Sequence, residues 1–398
     1  MIHEVMLPSR IVYGVGSFAE VGAHAAALGS KALIVSDPVM ERIGHVAACM
    51  RYLDEAGVSC AVYSGVHTEP TDLHVDEAMR ICSEAECDVV VAVGGGSCID
   101  AAKAVAVMMN NEGRIRDYVG GKKRFGSKPL PLIAVPTTAG TGSEVTKVTV
   151  IIDTSDDVKM MISQPELLPA VAIVDAALSM SCPPSVIAAS GIDALCHAIE
   201  AYLSRKAQPM SDAWALQAID LIYRNLPEIY SGQGDTARFE QVALGAMLAG
   251  AAFSNASVTL VHGMSRPIGA LFHVPHGISN AMLLPAVLAY TAPAATGRLA
   301  DIARVMRPEY ADLSVDALAE LALGEVRRLC AELDVPNLRD WGLDRAAFEA
   351  AIPKMALDAA ASGSPANNPR SVTVAEIEAL YRMCYEYSFV DRDQEGIV

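Results

Sequence analysis

An aspartate and three histidines in the C-terminal half of the chain could bind one metal ion. Asp193 and His197 are four residues apart, so on a helix they share one face and can chelate a single cation. His262 lies in the apolar stretch 258–264, and His276 stands at the predicted start of another helix. Three nitrogens and one oxygen suit a borderline divalent ion with an open position for Lewis-acid catalysis. Taken singly, an Asp–His pair is often a surface hydrogen bond, and a histidine in an apolar helix is usually a satisfied core residue.

A glycine run in the N-terminal half could bind a phosphate. Gly94, Gly95 and Gly96 stand between an apolar strand and a predicted helix, which Ser97 would cap and Asp100 would join in its first turn. Glycine lets a phosphate approach the backbone, and a helix N-terminus offers unpaired N–H groups and the positive end of its dipole. Three glycines exceed the needs of a tight turn, so the run predicts a pyrophosphate site, with Ser97 and Asp100 among the cofactor-binding residues.

Two other segments that follow strands could contact a dinucleotide. Asp37 ends the strand 31–36, where a carboxylate can bind ribose hydroxyls and repel a 2′-phosphate, which favours NAD. The alternative is that Asp37 only opens the next helix. The loop 136–144 concentrates hydroxyl groups that can bond to phosphate, ribose or the nicotinamide amide. The glycine pattern at 14–19 resembles a dinucleotide fingerprint, but the strand before it is marginal, so we predict a turn there.

The elements that must position these groups form two predicted domains. Residues 1–182 alternate strands with helices, which predicts an α/β dinucleotide-binding domain with a mostly parallel sheet and a hairpin at 145–162. In residues 183–398 Ala- and Leu-rich helical spacing dominates, which predicts an all-α metal-binding domain. A ligand is expected between the two, beyond the carboxyl ends of the strands.

Composition narrows the classes of function. The hydrophobic fraction of 52% supports a sizeable core, and a formal net charge of −17 disfavours nucleic acid as a partner. No apolar run reaches the roughly 18 residues of a membrane span, so we expect no membrane partner. Nine scattered cysteines without a Cys-x-x-Cys pair indicate a reducing, cytoplasmic location.

Four segments together resemble the iron-containing (group III) alcohol dehydrogenases: 94–103, 136–146, 191–200 and 262–277. They cover both predicted domains and lie in the family's order. The resemblance implies an enzyme that transfers a hydride between NAD(H) and a small alcohol or aldehyde. It also implies Fe²⁺ as the ion, with Zn²⁺ as the alternative, and a homodimer or higher homo-oligomer.

The resemblance assigns further roles residue by residue. The metal ligands that it implies are Asp193, His197, His262 and His276. The residues that it places at the nucleotide, besides the glycine run, Ser97 and Asp37, are Thr137, Thr138, Thr141, Lys159 and Leu178. Lys159 would lie near the nicotinamide ribose and Leu178 on the nicotinamide ring. Phe253 would form a wall of the substrate pocket.

Position 266 departs from the family pattern. Many members carry a histidine there that is implicated in proton transfer, whereas this chain has Arg266. A guanidinium stays charged and is a poor acid–base group. Proton transfer then runs either through water and a ribose hydroxyl or through a group such as His273. Arg266 would instead grip an anionic substrate, a hydroxy acid, sulfonate or phosphonate, or form an ion pair behind the ligands. The candidate catalytic residues are therefore His276, His273 and Arg266.

Two other functions fit parts of the pattern. Dehydroquinate synthase-like cyclases share the two-domain architecture and use NAD with a metal, but they need several basic residues for a phosphorylated sugar. A non-catalytic binding protein is the third alternative, and the four ligand residues speak against it.

Overall fold

The computed structural model describes residues 2–156 and 158–390. The chain divides into two compact units that meet in the sequence at Cys182 and Pro183. Unit 1, up to Cys182, alternates strands and helices, whereas the described part of unit 2, from Pro183, consists of α-helices and short 3₁₀ turns. The predicted α/β and all-α classes are therefore confirmed.

A six-stranded parallel sheet forms the centre of unit 1. The strands of this unit are β1 (Arg10–Tyr13), β2 (Lys31–Val35), β3 (Ser59–Tyr63), β4 (Val89–Gly94), β5 (Leu132–Pro136), β6 (Val148–Asp153), β7 (Val158–Ser163) and β8 (Val171–Val174). The sheet has the order β1-β8-β5-β4-β2-β3, and β6 and β7 form a separate antiparallel hairpin. All six residues of β4 are buried, as expected for a central strand covered on both faces.

The helices of unit 1 cover this sheet. They are α1 (Val21–Ala26), α2 (Pro38–Arg42), α3 (His45–Glu55), α4 (Asp72–Glu84) and α5 (Gly96–Met108). The sequence predicts one helix from Asp37 to about residue 56, but the structure has two. Gly44 separates them with φ 92°, a left-handed conformation that favours glycine and interrupts the helix.

The glycine pattern at 14–19 forms a turn, as predicted. The backbone N–H of Ser17 donates to the carbonyl of Gly14, and a short 3₁₀ helix follows at Ser17–Glu20. The marginal strand before it, β1, pairs along its whole length with β8 at the edge of the sheet. The glycine pattern at 14–19 therefore follows an edge strand of the sheet, whereas the glycine run 94–96 follows the central strand β4.

Unit 2 is built around a buried helix, α6. Its helices are α6 (Pro184–Leu203), α7 (Pro209–Tyr230), α8 (Thr236–Ala256), α9 (Leu260–Phe272), α10 (His276–Thr291), α11 (Thr296–Met306), α12 (Val315–Glu332), α13 (Arg345–Ala361) and α14 (Val374–Tyr385). Among the described residues α6 alone is long and apolar enough to span a membrane, apart from the sharply bent pair α8–α9. Of the apolar window of α6, 83% is buried within the protein, as in the core helix of a helical domain.

Candidate metal centre and dinucleotide site

Four side chains from three helices of unit 2 converge on one point. The donor atoms of Asp193, His197, His262 and His276 all lie within 4.8 Å of one another. Asp193 Oδ1 is 3.6 Å from His262 Nε2 and 4.0 Å from His276 Nε2. The first three side chains are buried, whereas that of His276 is 35% exposed, which leaves one side of the cluster accessible.

Two glycines allow the helices to approach so closely. A Cβ on Gly191 of α6 would lie 2.3 Å from the side chain of Leu226 on α7. A Cβ on Gly277 of α10 would lie 2.3 Å from the carbonyl oxygen of Ala189 on α6. Since real Cβ atoms do not tolerate such distances, glycine at 277 is what lets His276 reach Asp193.

Glu200 connects the cluster to the start of α9. Its Oε1 accepts hydrogen bonds from the hydroxyl of Thr259 at 2.6 Å and from the N–H of Val261 at 2.7 Å. Its Oε2 lies 2.6 Å from Nδ1 of His262. One carboxylate therefore caps the N-terminus of α9 and fixes the imidazole ring, so that His262 Nε2 turns towards Asp193.

The charges of the cluster stabilise one another. Burial by itself would raise the pKa of Asp193, but His197, His276 and His262 hold it below its usual range. Burial opposes protonation of His262, yet its hydrogen bonds to Asp193 and Glu200 raise its pKa to about 9. The lowered pKa of Asp193 and the raised pKa of His262 show that this point favours a positive charge, and one carboxylate with three imidazoles is a donor set that fits a divalent cation.

The remaining predicted residues of unit 2 have different environments. Phe253 on α8 stacks on the His197 ring, with 4.3 Å between centroids and 19° between planes. Arg266 lies on α9 one turn after His262, half-buried, and burial lowers its pKa while the charge of Glu200 opposes this shift. His273 ends α9 in a left-handed conformation, with φ 53°, and its side chain is exposed and outside the four-residue cluster.

The glycine run, Asp37 and the loop 136–144 meet at the carboxyl ends of three neighbouring strands of unit 1. The order places β2 and β5 on either side of β4, with Gly94 opposite Pro136. The glycine run leaves β4, and Asp37 leaves β2 with Oδ2 3.4 Å from the position of a Cβ on Gly94. Asp37 also caps α2, because its Oδ1 accepts from the N–H groups of Val39 and Met40 at 2.7 and 3.0 Å.

The helix after the glycine run has its N-cap two residues earlier than predicted. Gly95 is the N-cap of α5 and Gly96 its first residue, so the prediction that Ser97 caps this helix is wrong. Asp100 is also beyond the first turn. Its Oδ1 accepts from the Ser143 hydroxyl at 2.6 Å and its Oδ2 from the N–H of Val150 at 3.0 Å. Asp100 therefore ties α5 to the loop beyond β5.

A buried lysine reinforces the same connection. Nζ of Lys103 on α5 donates to the hydroxyls of Ser143 and Thr146, both at 2.9 Å, and to the carbonyl of Val148 at 2.7 Å. Burial lowers the pKa of Lys103 to about 8, against the attraction of Asp100 and Glu144. Helix α5, which follows the glycine run, and the segment 143–148 after β5 are thus held together by an internal ammonium group.

The three threonines line the same region. Thr138 lies 3.6 Å from where a Cβ on Gly95 would be, and Thr141 lies 2.7 Å from the equivalent position on Gly96. The N–H of Thr137 donates to the carbonyl of Gly94 at 3.0 Å. The backbone of the glycine run is therefore bordered by threonines, with room only at Gly95.

Lys159 and Leu178 already contact other parts of unit 1. Lys159 on β7 forms an ion pair with Glu69. Leu178 ends a short 3₁₀ helix and is buried in the apolar cluster beneath the sheet. The nicotinamide contacts predicted for these two residues remain predictions.

Glu200 and Lys103 have roles that the sequence interpretation missed. Glu200 follows Asp193 by seven residues, so the helical spacing that paired Asp193 with His197 also places Glu200 on that face. No comparable signal marked Lys103, because its partners are 40 to 45 residues away in the chain.

Both parts of the chain match models of one protein family. Residues 8–176 match the model "Iron-containing alcohol dehydrogenase", and residues 187–385 match "Fe-containing alcohol dehydrogenase family, C-terminal". The 1,3-propanediol dehydrogenase of Klebsiella pneumoniae is 38% identical over 96% of this chain and 98% of that protein.

Solved structures agree with these matches. The crystal structure of a 1,3-propanediol oxidoreductase superposes with a TM-score of 0.93, at 36% identity, over 97% of this chain and all of that one. Sulfoacetaldehyde reductase from Bifidobacterium kashiwanohense, crystallised in complex with NAD⁺, superposes with a TM-score of 0.86 at 29% identity, over 98% of this chain and all of that one.

Proposed function

Because the chain belongs to the iron-containing alcohol dehydrogenase family, we propose that unit 2 binds Fe²⁺ through Asp193, His197, His262 and His276. The chain is a metal-dependent oxidoreductase of alcohols and aldehydes, and its family implies iron and NAD(H) as cofactors. The observation that supports this ligand set is the convergence of four donor atoms within 4.8 Å.

The ion supplies Lewis-acid chemistry, since a bound divalent cation polarises an alcohol or carbonyl oxygen. The chain's own residues position it. Buried Asp193, His197 and His262 close the inner side of the site, and the partly exposed His276 faces the side from which a substrate can enter. Phe253, stacked on His197, provides an apolar wall that fixes this ring and keeps water from it.

The dinucleotide binds unit 1 at the carboxyl ends of β2, β4 and β5. The N–H groups at the start of α5 bind the pyrophosphate, and the bare backbone of Gly95 is the point of closest approach. The carboxylate of Asp37 selects NAD over NADP, because it accepts from a ribose diol and repels a 2′-phosphate. Its helix-capping role uses Oδ1, and Oδ2 lies towards Gly94.

In this proposal Arg266 is a charge partner of Glu200 and does not bind the substrate. It lies one turn after His262, and the attraction of Glu200 stabilises its positive charge. A guanidinium offset by a buried carboxylate attracts a substrate anion less than an isolated one. The anionic-substrate alternative is therefore weaker than the small alcohol. A proton-transfer role for His273 has no support from the cluster geometry.

Three finer assignments complete the proposal. We propose Fe²⁺ over Zn²⁺, although three imidazoles and a carboxylate can bind either ion. A homodimer follows the expectation from the family resemblance. A cytoplasmic location is consistent with all nine cysteines being free thiols, seven of them buried. The family match leaves the cyclase and the non-catalytic protein without support.

Turnover of the purified protein tests the proposed function. Under anaerobic conditions with added Fe²⁺, the protein should oxidise short alcohols and diols and form stoichiometric NADH from NAD. A metal chelator should stop this reaction. His262→Ala should abolish turnover yet retain NAD binding, because His262 belongs to unit 2. Arg266→Ala, assayed with ω-hydroxy acids beside neutral alcohols, separates the two substrate classes.

Three outcomes of these assays would each refute one part of the proposal. Turnover that survives both the chelator and His262→Ala would refute the metal site. A preference for hydroxy acids that disappears in Arg266→Ala would restore the anionic substrate. Zn²⁺-loaded protein that exceeds Fe²⁺-loaded protein in kcat would overturn the choice of ion.

A further inference from the structure

A serine takes a glycine-like backbone conformation at the turn that leads into the metal site. Ser257 has φ 80° and ψ 151°, a region of backbone angles that is essentially restricted to glycine, which has no Cβ. It is one of three residues between α8, which ends at Ala256, and α9, which begins at Leu260, and the axes of these helices differ by 103°. A residue persists in such a region only where the surrounding structure holds it there.

Asn367 supplies contacts that hold this turn. Its side chain is buried, and Nδ2 donates to the Ser257 hydroxyl at 3.0 Å and lies 3.4 Å from the carbonyl oxygen of Val258. The Ser257 hydroxyl in turn donates to the same carbonyl at 3.2 Å. The backbone carbonyl of Asn367 accepts from the N–H of Arg205, two residues after the end of α6. One residue therefore connects the turn before α9 to the end of α6.

The segment 365–367 also packs against α9 beside a proposed metal ligand. A Cβ on Gly263, which follows His262 in the chain, would lie 2.7 Å from Cγ of Pro365. His262 is the third residue of α9, so the direction in which this helix starts decides where its imidazole ring lies. Two of the other proposed ligands lie on α6. The segment 365–367 therefore fixes α9 relative to the helix with which it shares the metal site.

We propose that Asn367 is a positioning residue of the metal site, because it holds Ser257 in its strained conformation and so directs His262 to the common point of the four donors. This inference rests on the ligand set of the proposed function. The effect of Asn367 runs through the backbone between the turn and the first residues of α9. The opposing explanation is that helix packing alone fixes the turn and that Asn367 only satisfies buried polar groups.

Two substitutions of Ser257 separate backbone strain from the loss of a hydroxyl group. Ser257→Ala and Ser257→Gly both remove the acceptor of Asn367, but only alanine retains a Cβ in the glycine region. Ser257→Ala and Asn367→Ala should each weaken Co²⁺ binding by about 2- to 30-fold, the range for residues that act on a site through the intervening structure. Ser257→Gly should bind Co²⁺ as wild type does. In the double variant, Ser257→Gly should also restore the affinity that Asn367→Ala loses.

Asn368→Ala is the matched control for Asn367→Ala. Asn368 is the neighbouring buried asparagine, but its Nδ2 donates to the hydroxyl of Thr291 at the end of α10 and to the carbonyl of Arg370. Its loss should lower the melting temperature and leave the Co²⁺ affinity unchanged. Titration of the full-length protein, stripped of metal with a chelator and followed by the visible absorption of Co²⁺, measures these affinities without NAD or turnover.

The outcomes separate this inference from the proposed function. Equal affinities of Ser257→Ala and Ser257→Gly, or a wild-type affinity of Asn367→Ala, would refute the positioning role while the four-residue site stands. A double variant as weak as Asn367→Ala would refute it as well. If wild type binds no Co²⁺, or if His262→Ala binds it as tightly, the proposed function itself fails. Where Asn367→Ala folds poorly, the two Ser257 variants decide the question, because neither adds bulk to the turn.

Discussion

Replacing Glu200 with glutamine should weaken metal binding without removing a donor atom. The carboxylate of Glu200 accepts on both sides: Oε1 from Thr259 and Val261 at the start of α9, and Oε2 from Nδ1 of His262. With His262 Nε2 directed at the ion, Nδ1 carries the proton and must donate. Glu200→Gln supplies one oxygen and one NH₂ group, so it can satisfy only one of these two sides.

The expected size of the effect follows from that mismatch. Whichever way the glutamine amide turns, its NH₂ group faces a buried N–H donor. An unpaired buried donor costs about 1–3 kcal/mol. At about 1.4 kcal/mol per tenfold change, this corresponds to metal binding weakened by about 5- to 150-fold. Measured effects of residues that support metal ligands, about 10- to 100-fold, lie in the same range.

Competition with a fluorescent zinc chelator measures this affinity directly. Glu325→Gln is the matched control, because Glu325 is another buried carboxylate of unit 2 that accepts from Arg328 at 2.8 Å and also bonds to Tyr223. It should lower the melting temperature and leave the zinc affinity unchanged. If Glu200→Gln binds Zn²⁺ as tightly as wild type, the argument that Glu200 orients His262 is incorrect.

Four further variants concern unit 1. Asp37→Asn keeps a side-chain cap for α2 but loses the charge, so kcat/KM for NADP should rise by about tenfold or more at unchanged stability; unchanged NADP kinetics would contradict the selectivity role. Gly95→Ala has room within the protein, whereas Gly96→Ala meets Thr141 at 2.7 Å. Only Gly96→Ala should therefore lower the melting temperature. Gly95→Ala should instead raise KM for NAD, because its methyl group would lie against the bound phosphate. A normal KM would argue against the pyrophosphate site. The pKa of Lys103 is lowered from 10.5 to about 8, so between these pH values the unfolded chain binds more protons and stability should rise with pH. Lys103→Met should remove that rise in urea unfolding measured at pH 7.5 and 9.5, and equal slopes in both proteins would show that this pKa is not shifted.

Local sequence was sufficient to predict the bounds of those helices and strands whose apolar spacing marks them. The sequence predicts strands at 59–63 and 171–174 and a helix at 374–385. Elements β3, β8 and α14 begin and end at these residues, because the apolar spacing that predicts them is a local signal. The break at Gly44 and the start of α5 at Gly96 escaped prediction. Both depend on backbone conformation around glycine, which a hydrophobic pattern does not record.

The sequence alone determined the alternation of unit 1, the helical character of unit 2 and the residue types of the metal site. Asp193 and His197 are paired by helical spacing, so their common face follows from the chain itself. Only the tertiary structure brings His262 and His276 to the same point, because that convergence depends on helix packing at Gly277. It likewise decides the roles of Glu200 and Lys103. A buried polar group is defined by the partners that satisfy it, and those partners lie far away in the chain.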